Sequence, residues 1–106
     1  YYDYDLDAIL LAGNNANGIF HIHRFSGKFN AYQRTYIITL SNENFSLNYI
    51  YYALKLLLNY MKEISYGSAT KFLTMKILKN LEITIPKSLD EQRAIANILS
   101  SLDDKI

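Results

Sequence analysis

The 106-residue chain contains no cysteine, which excludes disulfides and thiolate metal sites. That absence suits a reducing compartment, and we expect a cytoplasmic protein. The four glycines, at positions 13, 18, 27 and 67, do not have the spacing of a P-loop or a dinucleotide-binding loop. Nucleotide binding by this chain is therefore not indicated. Its length predicts a single domain.

Long apolar runs are also lacking. The most apolar stretch, LNYIYYALKLLLNYM, is interrupted by Asn48, Lys55 and Asn59, and it falls short of the roughly 20 apolar residues that a membrane span requires. The sequence predicts a buried helix there. The first residues, YYDYDLDAIL, hold three aspartates and neither an initiator methionine nor a basic leader, so they do not resemble a signal peptide. We expect the chain to begin within a larger protein.

Acidic residues are scarce in the middle of the chain. Residues 8–81 hold eight lysines and arginines against two glutamates, Glu43 and Glu63. No acidic residue lies between Asp7 and Glu43. Ahead of it, Arg24, Lys28 and Arg34 are interleaved with histidine, asparagine and tyrosine, a composition suited to contact with a polyanion. A solvated basic surface without a nucleic-acid partner is the alternative.

Alternation of apolar and polar residues predicts three strands in the first forty positions, at DAILLA, IFHIH and QRTYIIT. GNNANG is predicted to form a tight loop after the first strand, because glycine and asparagine tolerate positive φ. RFSGKFNAY is predicted to be a polar loop between the second and third strands.

Helical periodicity follows these strands. From Ser46 the apolar residues recur in steps of three and four, which predicts a helix. A helical turn is expected at LTMKILKN, and LEITI predicts a strand that ends at Pro86, since proline offers no donor to a ladder. Ser88 and Glu91 have the spacing of a capping box, which starts another helix. The predicted fold class is α+β: an antiparallel or mixed twisted sheet with packed helices and a long C-terminal helix.

The C-terminal helix carries an apolar stripe with the spacing of a coiled-coil seam. Its members are Gln92, Ile95, Leu99, Leu102 and Ile106. Two heptads do not establish a coiled coil, so packing of this stripe on its own domain stays open.

Catalytic and metal-binding patterns are not evident. His21 and His23 lie two apart on a predicted strand and share a face, but the surrounding window has no carboxylate to complete a metal site. We predict no metal. No nucleophile elbow and no acid/base pair appear, so no catalytic residue is assigned.

Residues 66–106, YGSATKFLTMKILKNLEITIPKSLDEQRAIANILSSLDDKI, resemble the end of a target recognition domain from the specificity subunit of a type I restriction-modification enzyme, running into the helix that follows it. The residues that carry the resemblance are Gly67, Ser68, Lys71, Phe72, Leu73, Ile85, Pro86, Glu91, Gln92, Ile95, Ala96, Leu99, Leu102 and Asp103. The upstream segments fit more loosely, in the order such domains use, although a complete recognition domain is longer.

The resemblance implies a DNA-binding chain without catalytic activity. Residues 1–87 would be the C-terminal portion of a target recognition domain that reads half of a split double-stranded DNA target. Residues 88–106 would begin a spacer helix that pairs with another helix and docks the methyltransferase (modification) and restriction subunits. Methylation and cleavage, with S-adenosylmethionine, ATP and Mg²⁺, would belong to those partners, and this chain would hold no cofactor. A protein–protein interaction module working through the C-terminal amphipathic helix is the alternative.

For duplex DNA, cations are expected on phosphates, and arginine and asparagine at base edges. The predicted DNA-binding residues are Arg24, Lys28, Asn30, Tyr32, Arg34, Asn14, Asn15, Asn17, Ser68, Thr70, Lys71 and Lys76. For the asparagines of GNNANG, for the tyrosine and for the hydroxyl residues, turn or core chemistry is the alternative. Helix pairing is assigned to Gln92, Ile95, Leu99, Leu102 and Ile106.

Overall fold

The structure, a computed structural model, describes residues 4–15, 20–29, 35–65 and 71–103. Within these ranges the chain forms five strands and four helices. In chain order they are β1 (Tyr4–Ala12), β2 (Asn14–Asn15), β3 (Ile22–Phe29), β4 (Thr35–Ile38), α1 (Leu47–Leu56), α2 (Leu58–Ile64), β5 (Lys71–Phe72), α3 (Met75–Lys79) and α4 (Leu89–Asp103).

Strands β3, β1 and β4 form an antiparallel sheet with β1 in the middle. Ile9 lies opposite Arg24 on β3 and Ile38 on β4, so one face of the sheet is shared by all three strands. The central strand is the most apolar of the three because it is covered by a neighbour on each side and by helices on one face. The α+β fold class is confirmed, as are the first and third predicted strands within the described residues. The second, predicted at residues 19–23, is a strand only from Ile22, because Phe20 and His21 precede the first residue of β3 in the ladder with β1.

Strand β3 extends further than the sequence pattern predicts. The residues from Arg24 to Phe29 were predicted to be a polar loop, and that prediction is wrong, because they pair with β1. Gly27 has a φ of 115° within the strand, opposite Leu6. A Cβ there would meet no atom within 4 Å, so backbone conformation is what favours glycine. Polar residues and glycine are typical of an edge strand, whose side chains face water.

The core lies between the sheet and the helices. Its buried members are Ile9, Leu11, Phe20, Ile22, Leu47, Leu54, Met61, Leu73 and Ile77. Ser46 caps α1, since its Oγ accepts a hydrogen bond from the Tyr49 N–H at 3.2 Å. The predicted helix is confirmed, with a division at Leu57, whose N–H bonds the Leu54 carbonyl at 2.9 Å and tightens the turn.

The segment between α3 and α4 was predicted to be a strand, and that prediction is wrong: residues 81–86 are in no ladder. Leu81 and Ile83 pack against the core while Glu82 and Thr84 are exposed. The alternation of apolar and polar residues in this segment therefore shows which side chains face the core. It does not show that the segment pairs with another strand. The predicted helical turn before it is confirmed as α3, which Thr74 caps through a 3.2 Å bond from Ile77 N.

Helix α4 begins at the predicted cap. The Ser88 Oγ accepts a bond from the Glu91 N–H at 3.4 Å. Gln92 and Ala96 are buried, with α4 lying beside α1. Among the described residues, no helix is both long enough and apolar enough to cross a membrane.

Candidate nucleic-acid interface

Two short strands form a junction beside the end of β1. Asn15 pairs with Lys71 and Asn14 with Phe72, in an antiparallel register. The Gly13 carbonyl accepts the Leu73 N–H at 2.7 Å and extends the contact. We call residues 13–15 and 71–73 the strand junction. It brings together two groups of predicted DNA-binding residues that lie far apart in the sequence.

The start of β4 lies at the same end of the sheet. Ala12 pairs with Thr35, and the Tyr36 hydroxyl donates to the Leu73 carbonyl at 2.7 Å. This bond fixes the strand junction to the sheet, so the backbone positions of its asparagines and lysine are set by the folded core.

Helix α3 follows the strand junction directly and presents two exposed lysines, Lys76 and Lys79. Residues three apart in a helix are neighbours on its surface. Lys79 was not predicted as a DNA-binding residue, although its spacing from Lys76 within a predicted helical turn is a signal that could have found it. The two lysines also lie in the last turn of α3, where positive charge stabilises the helix end.

Arg24 is bound within the domain. Its Nε donates to Asn48 Oδ1 at 2.8 Å, and its Nη1 forms an ion pair with Asp7. The same Nη1 donates to the carbonyls of Phe25 at 3.1 Å and Ala8 at 3.3 Å. The guanidinium therefore ties β3 to β1 and to α1.

The contact with Arg24 lowers the pKa of the Asp7 carboxyl. The hydrogen bond from Arg24 lowers the pKa of the Asp7 carboxyl below its ordinary value of 3.8, and the positive charge of Arg24 acts in the same direction. Partial burial opposes the shift. The Asp7 side chain is 55% exposed, so water screens much of the attraction.

Several predicted residues lie outside the part of the chain that the structure describes. They are Asn17, Asn30, Tyr32, Arg34, Ser68, Thr70 and Ile106. Lys28 is exposed on β3. His21 and His23 are also exposed, and in the described ranges no group of three or more histidine, cysteine or acidic residues is placed to hold a metal ion.

Helix α4 presents an apolar surface on the side away from its buried residues. Ile98 is 62% exposed and Leu102 is 55% exposed, and Leu56 at the end of α1 is 78% exposed. A groove of about 300 Å³ separates α4 from α1, and Ile95 and Leu99 line it. We call Leu56, Ile95, Ile98 and Leu102 the apolar face. Ile98 was not assigned to helix pairing, although it continues the same spacing of three and four residues.

Gln92, at the start of the predicted pairing stripe, faces the domain and not solvent. It is 1% exposed, and its amide is bonded within the domain. Of the predicted pairing residues, Ile95 and Leu102 are thus exposed, Leu99 is half-buried and Gln92 is buried.

Comparison with known proteins gives a consistent result. The family described as "Type I restriction modification DNA specificity domain" matches residues 2–106. The chain is 34% identical over 99 residues to the type I restriction enzyme EcoDI specificity subunit of Escherichia coli, across 93% of this chain and 21% of that protein. It is 33% identical over 100 residues to the type I restriction enzyme MjaVIII specificity subunit of Methanocaldococcus jannaschii, across 92% of this chain and 22% of that protein.

A solved structure shares the fold. The S subunit of a type I restriction-modification system from M. genitalium superposes with a TM-score of 0.83 at 25% identity, and the match covers 98% of this chain and 28% of that one. The chain thus spans between a fifth and a quarter of the length of the curated relatives it matches.

Proposed function

This chain belongs to the type I restriction modification DNA specificity domain family, and from that membership we propose that it recognises a sequence in double-stranded DNA as part of a specificity subunit. Residues 1–87 act as the C-terminal portion of a target recognition domain, and residues 88–106 begin the spacer helix. The observation that carries the proposal is the strand junction, where asparagine and lysine positions meet beside the lysines of α3.

Each part of this surface has a chemical role. Lys71, Lys76 and Lys79 neutralise phosphates, which supplies most of the affinity and makes it sensitive to salt. Asn14 and Asn15 lie on the strand paired with Lys71, and asparagine bonds the edge of adenine in the major groove. Arg24 acts indirectly. It ties β3 to β1 and α1, and the sheet that contains β1 is joined to the strand junction by the Tyr36 hydroxyl.

In this proposal the chain catalyses no reaction. Methylation and cleavage take place on modification and restriction subunits, which bind S-adenosylmethionine, ATP and Mg²⁺. The apolar face of α4 pairs with a second helix and contributes to the docking of those subunits. The exposure of Ile98 and Leu102 supports this assignment, because residues four apart on a helix are neighbours on its surface, and adjacent exposed apolar side chains are typical of an interaction site.

Duplex binding tests the proposal. The protein at its full natural length is measured by fluorescence anisotropy against a duplex selected from a random-sequence pool, over a range of salt concentrations. Replacing Lys71, Lys76 and Lys79 together by alanine is expected to weaken binding by about tenfold or more. The salt slope should fall by about 0.9 for each phosphate that the variant no longer neutralises.

A second triple variant is the matched control. Lys62, Lys87 and Arg93 are exposed cations on other parts of the surface, and replacing them by alanine removes the same charge. Equal losses of affinity in the two variants would show that binding follows net charge alone. Such a result contradicts the assignment to the strand junction and α3.

The apolar face supports a second candidate function, a protein-interaction module that does not bind DNA. In that case the wild-type protein binds no duplex at low salt. Replacing Ile98 and Leu102 by serine then abolishes its association with a partner chain, measured by sedimentation velocity. Wild-type binding to the selected duplex rules this candidate out.

A further inference from the structure

Among the residues that the structure describes, Gln92 is the one buried polar side chain. Its Oε1 accepts a hydrogen bond from the Ser46 N–H at 2.7 Å. Its Nε2 donates to the carbonyls of Pro86 at 3.0 Å and Asn44 at 3.2 Å. One amide therefore joins α4 to the start of α1, to the loop before α1 and to the linker that precedes α4 itself.

The bond to Ser46 completes the cap of α1 from another helix. In a capping box, a glutamate or glutamine at the third helical position accepts the N–H of the cap residue. In α1 that position holds Tyr49, whose hydroxyl instead donates to the Thr84 carbonyl at 2.6 Å. Gln92 supplies the missing acceptor. The Ser46 N–H at the start of α1 is therefore hydrogen-bonded by this side chain only when α4 packs against α1.

Only an amide meets the chemistry of this site. The three partners require one acceptor and two donors on a single side chain. An ionised glutamate accepts but cannot donate, and it would face two carbonyl oxygens. An aliphatic side chain would leave the Ser46 N–H without its acceptor, at the cost of a buried unsatisfied group.

Helix α4 packs beside α1, and most of its side chains there are only half-buried or exposed. Gln92 and Ala96 are the buried side chains of α4 within the described residues. Ala96 contributes apolar contact without direction, whereas the hydrogen bonds of Gln92 restrict angle as well as distance. Among the described residues, Gln92 is thus the fully buried side chain of α4 whose bonds restrict the direction of the helix.

We propose that Gln92 is a positioning residue that fixes the direction of α4 and thereby determines the target spacing that the specificity subunit accepts. The second part rests on the proposed function. Asp103 lies about 16 Å along the helix axis from Gln92. A tilt of about 12° at Gln92 moves that end of the helix by about 3.4 Å, the rise of one base pair.

A distance measurement tests the first part without DNA. The chain has no cysteine of its own, so Asn59→Cys on α2 and Ser101→Cys on α4, both exposed, provide one pair of spin-label sites in it. Double electron–electron resonance on the full-length protein is expected to give a narrow distance distribution. Gln92→Glu is expected to broaden that distribution by about twofold or more or to shift its centre, because the amide's donors are removed.

The control is Asn97→Asp, the same amide-to-acid change at an exposed position of α4, and it should leave the distribution unchanged. If circular dichroism shows that the Gln92→Glu variant is unfolded, Gln92→Met replaces it in the distance measurement. Methionine keeps the length of the side chain and lacks both donors. A distribution in a folded Gln92 variant that matches the parent overturns the proposal.

A spacing measurement tests the second part. Duplexes with the two halves of the selected target moved apart or together by one and two base pairs are compared. The wild type is expected to prefer one spacing, and Gln92→Glu to reduce that preference by about tenfold, the effect of losing on the order of one buried hydrogen-bonding group. The affinity of the Gln92→Glu variant for a duplex with a single half of the target should equal that of the wild type. A general loss of stability would lower this affinity as well as the spacing preference.

The two proposals fail differently. If the wild type binds no duplex, the proposed function is wrong, and the distance distribution alone decides whether Gln92 directs α4. If the wild type prefers one spacing and the variant keeps that preference, DNA recognition stands and the role of Gln92 in target spacing is overturned.

Discussion

Arg24 joins three elements through one guanidinium. In the β1–β3 register it lies opposite Ile9, on the face of the sheet that packs against α1. Its side chain is only 24% exposed. A charged group that is mostly covered is stable only when its N–H groups are bonded, so the contacts to Asp7 and Asn48 are a requirement of its position. A residue type suited to DNA is here used to hold the fold.

Replacing Arg24 by alanine is expected to lower the free energy of unfolding by about 1 to 2 kcal/mol, because a half-exposed ion pair and a hydrogen bond to an amide are removed together. Urea denaturation followed by circular dichroism measures the change. Lys62→Ala, at an exposed position of α2, is the control and should change stability by less than about 0.5 kcal/mol. Equal effects would contradict the structural role of Arg24.

The ion pair also predicts a dependence on pH. Because the pKa of Asp7 is lowered in the folded chain, chiefly by the hydrogen bond from Arg24, the ionised carboxylate stabilises the fold fully above its ordinary value of 3.8. The contribution disappears as pH falls through the lowered pKa. The stability difference between wild type and Asp7→Asn should therefore be constant above pH 3.8 and shrink below it.

Urea midpoints from pH 6 downward measure that difference. Glu43→Gln, at an exposed position before α1, is the matched control. A difference between wild type and Asp7→Asn that stayed constant down to the lowest pH at which the chain folds would show that the pair does not stabilise it.

At the scale of elements, two tyrosine hydroxyls donate hydrogen bonds to backbone carbonyls of segments that are not held by extended strand pairing. Tyr36 bonds the Leu73 carbonyl and fixes the strand junction, and Tyr49 bonds the Thr84 carbonyl and fixes the segment before α4. Both hydroxyls reach segments distant in the sequence. These segments are too short or too irregular to be fixed by pairing alone.

Tyr49→Phe is expected to destabilise the chain by about 1 kcal/mol, the net contribution of one hydrogen bond. Hydrogen exchange at the amides of residues 81–85 should quicken at the same time, because the segment loses its hydrogen bond to α1. Tyr60→Phe, which removes the same atom at a half-exposed position of α2, is the comparison for thermal denaturation and exchange. Identical behaviour of the two variants would rule out the tether.

At the scale of the whole molecule, the proposed boundary between recognition domain and spacer helix is not a gap in the packing. Helix α4 buries Gln92 and Ala96 against the domain and completes the cap of α1. The proposed functional division between residues 87 and 88 therefore falls within a continuous fold. Because of this continuity, the orientation of the proposed DNA-binding surface would determine the orientation of the apolar face.

A chain ending at residue 87 is accordingly expected to be less stable than the intact chain by about 3 kcal/mol, because apolar burial and hydrogen bonds are removed together. A chain ending at residue 103 should retain the stability of residues 1–106. Thermal and urea denaturation of the three chains measure this. If the shortest chain unfolded at the same temperature as the others, α4 would be an appendage and not part of the fold.

The sequence by itself determined the kind and place of most elements. The helix after Ser46, the cap at Ser88 and the three strands are visible because periodicity and caps depend on residues within about four positions of each other. The resemblance to specificity subunits rests on a contiguous stretch, residues 66–106, and the family match confirms it.

Only the tertiary structure decided which distant residues meet. The pairing of Asn15 with Lys71, the use of Arg24 inside the fold and the burial of Gln92 all depend on strand register and helix packing. Charge and periodicity along the chain do not encode those contacts. The same polar side chain binds an outside partner or holds the fold according to what lies across from it, and that is settled only when the chain has folded.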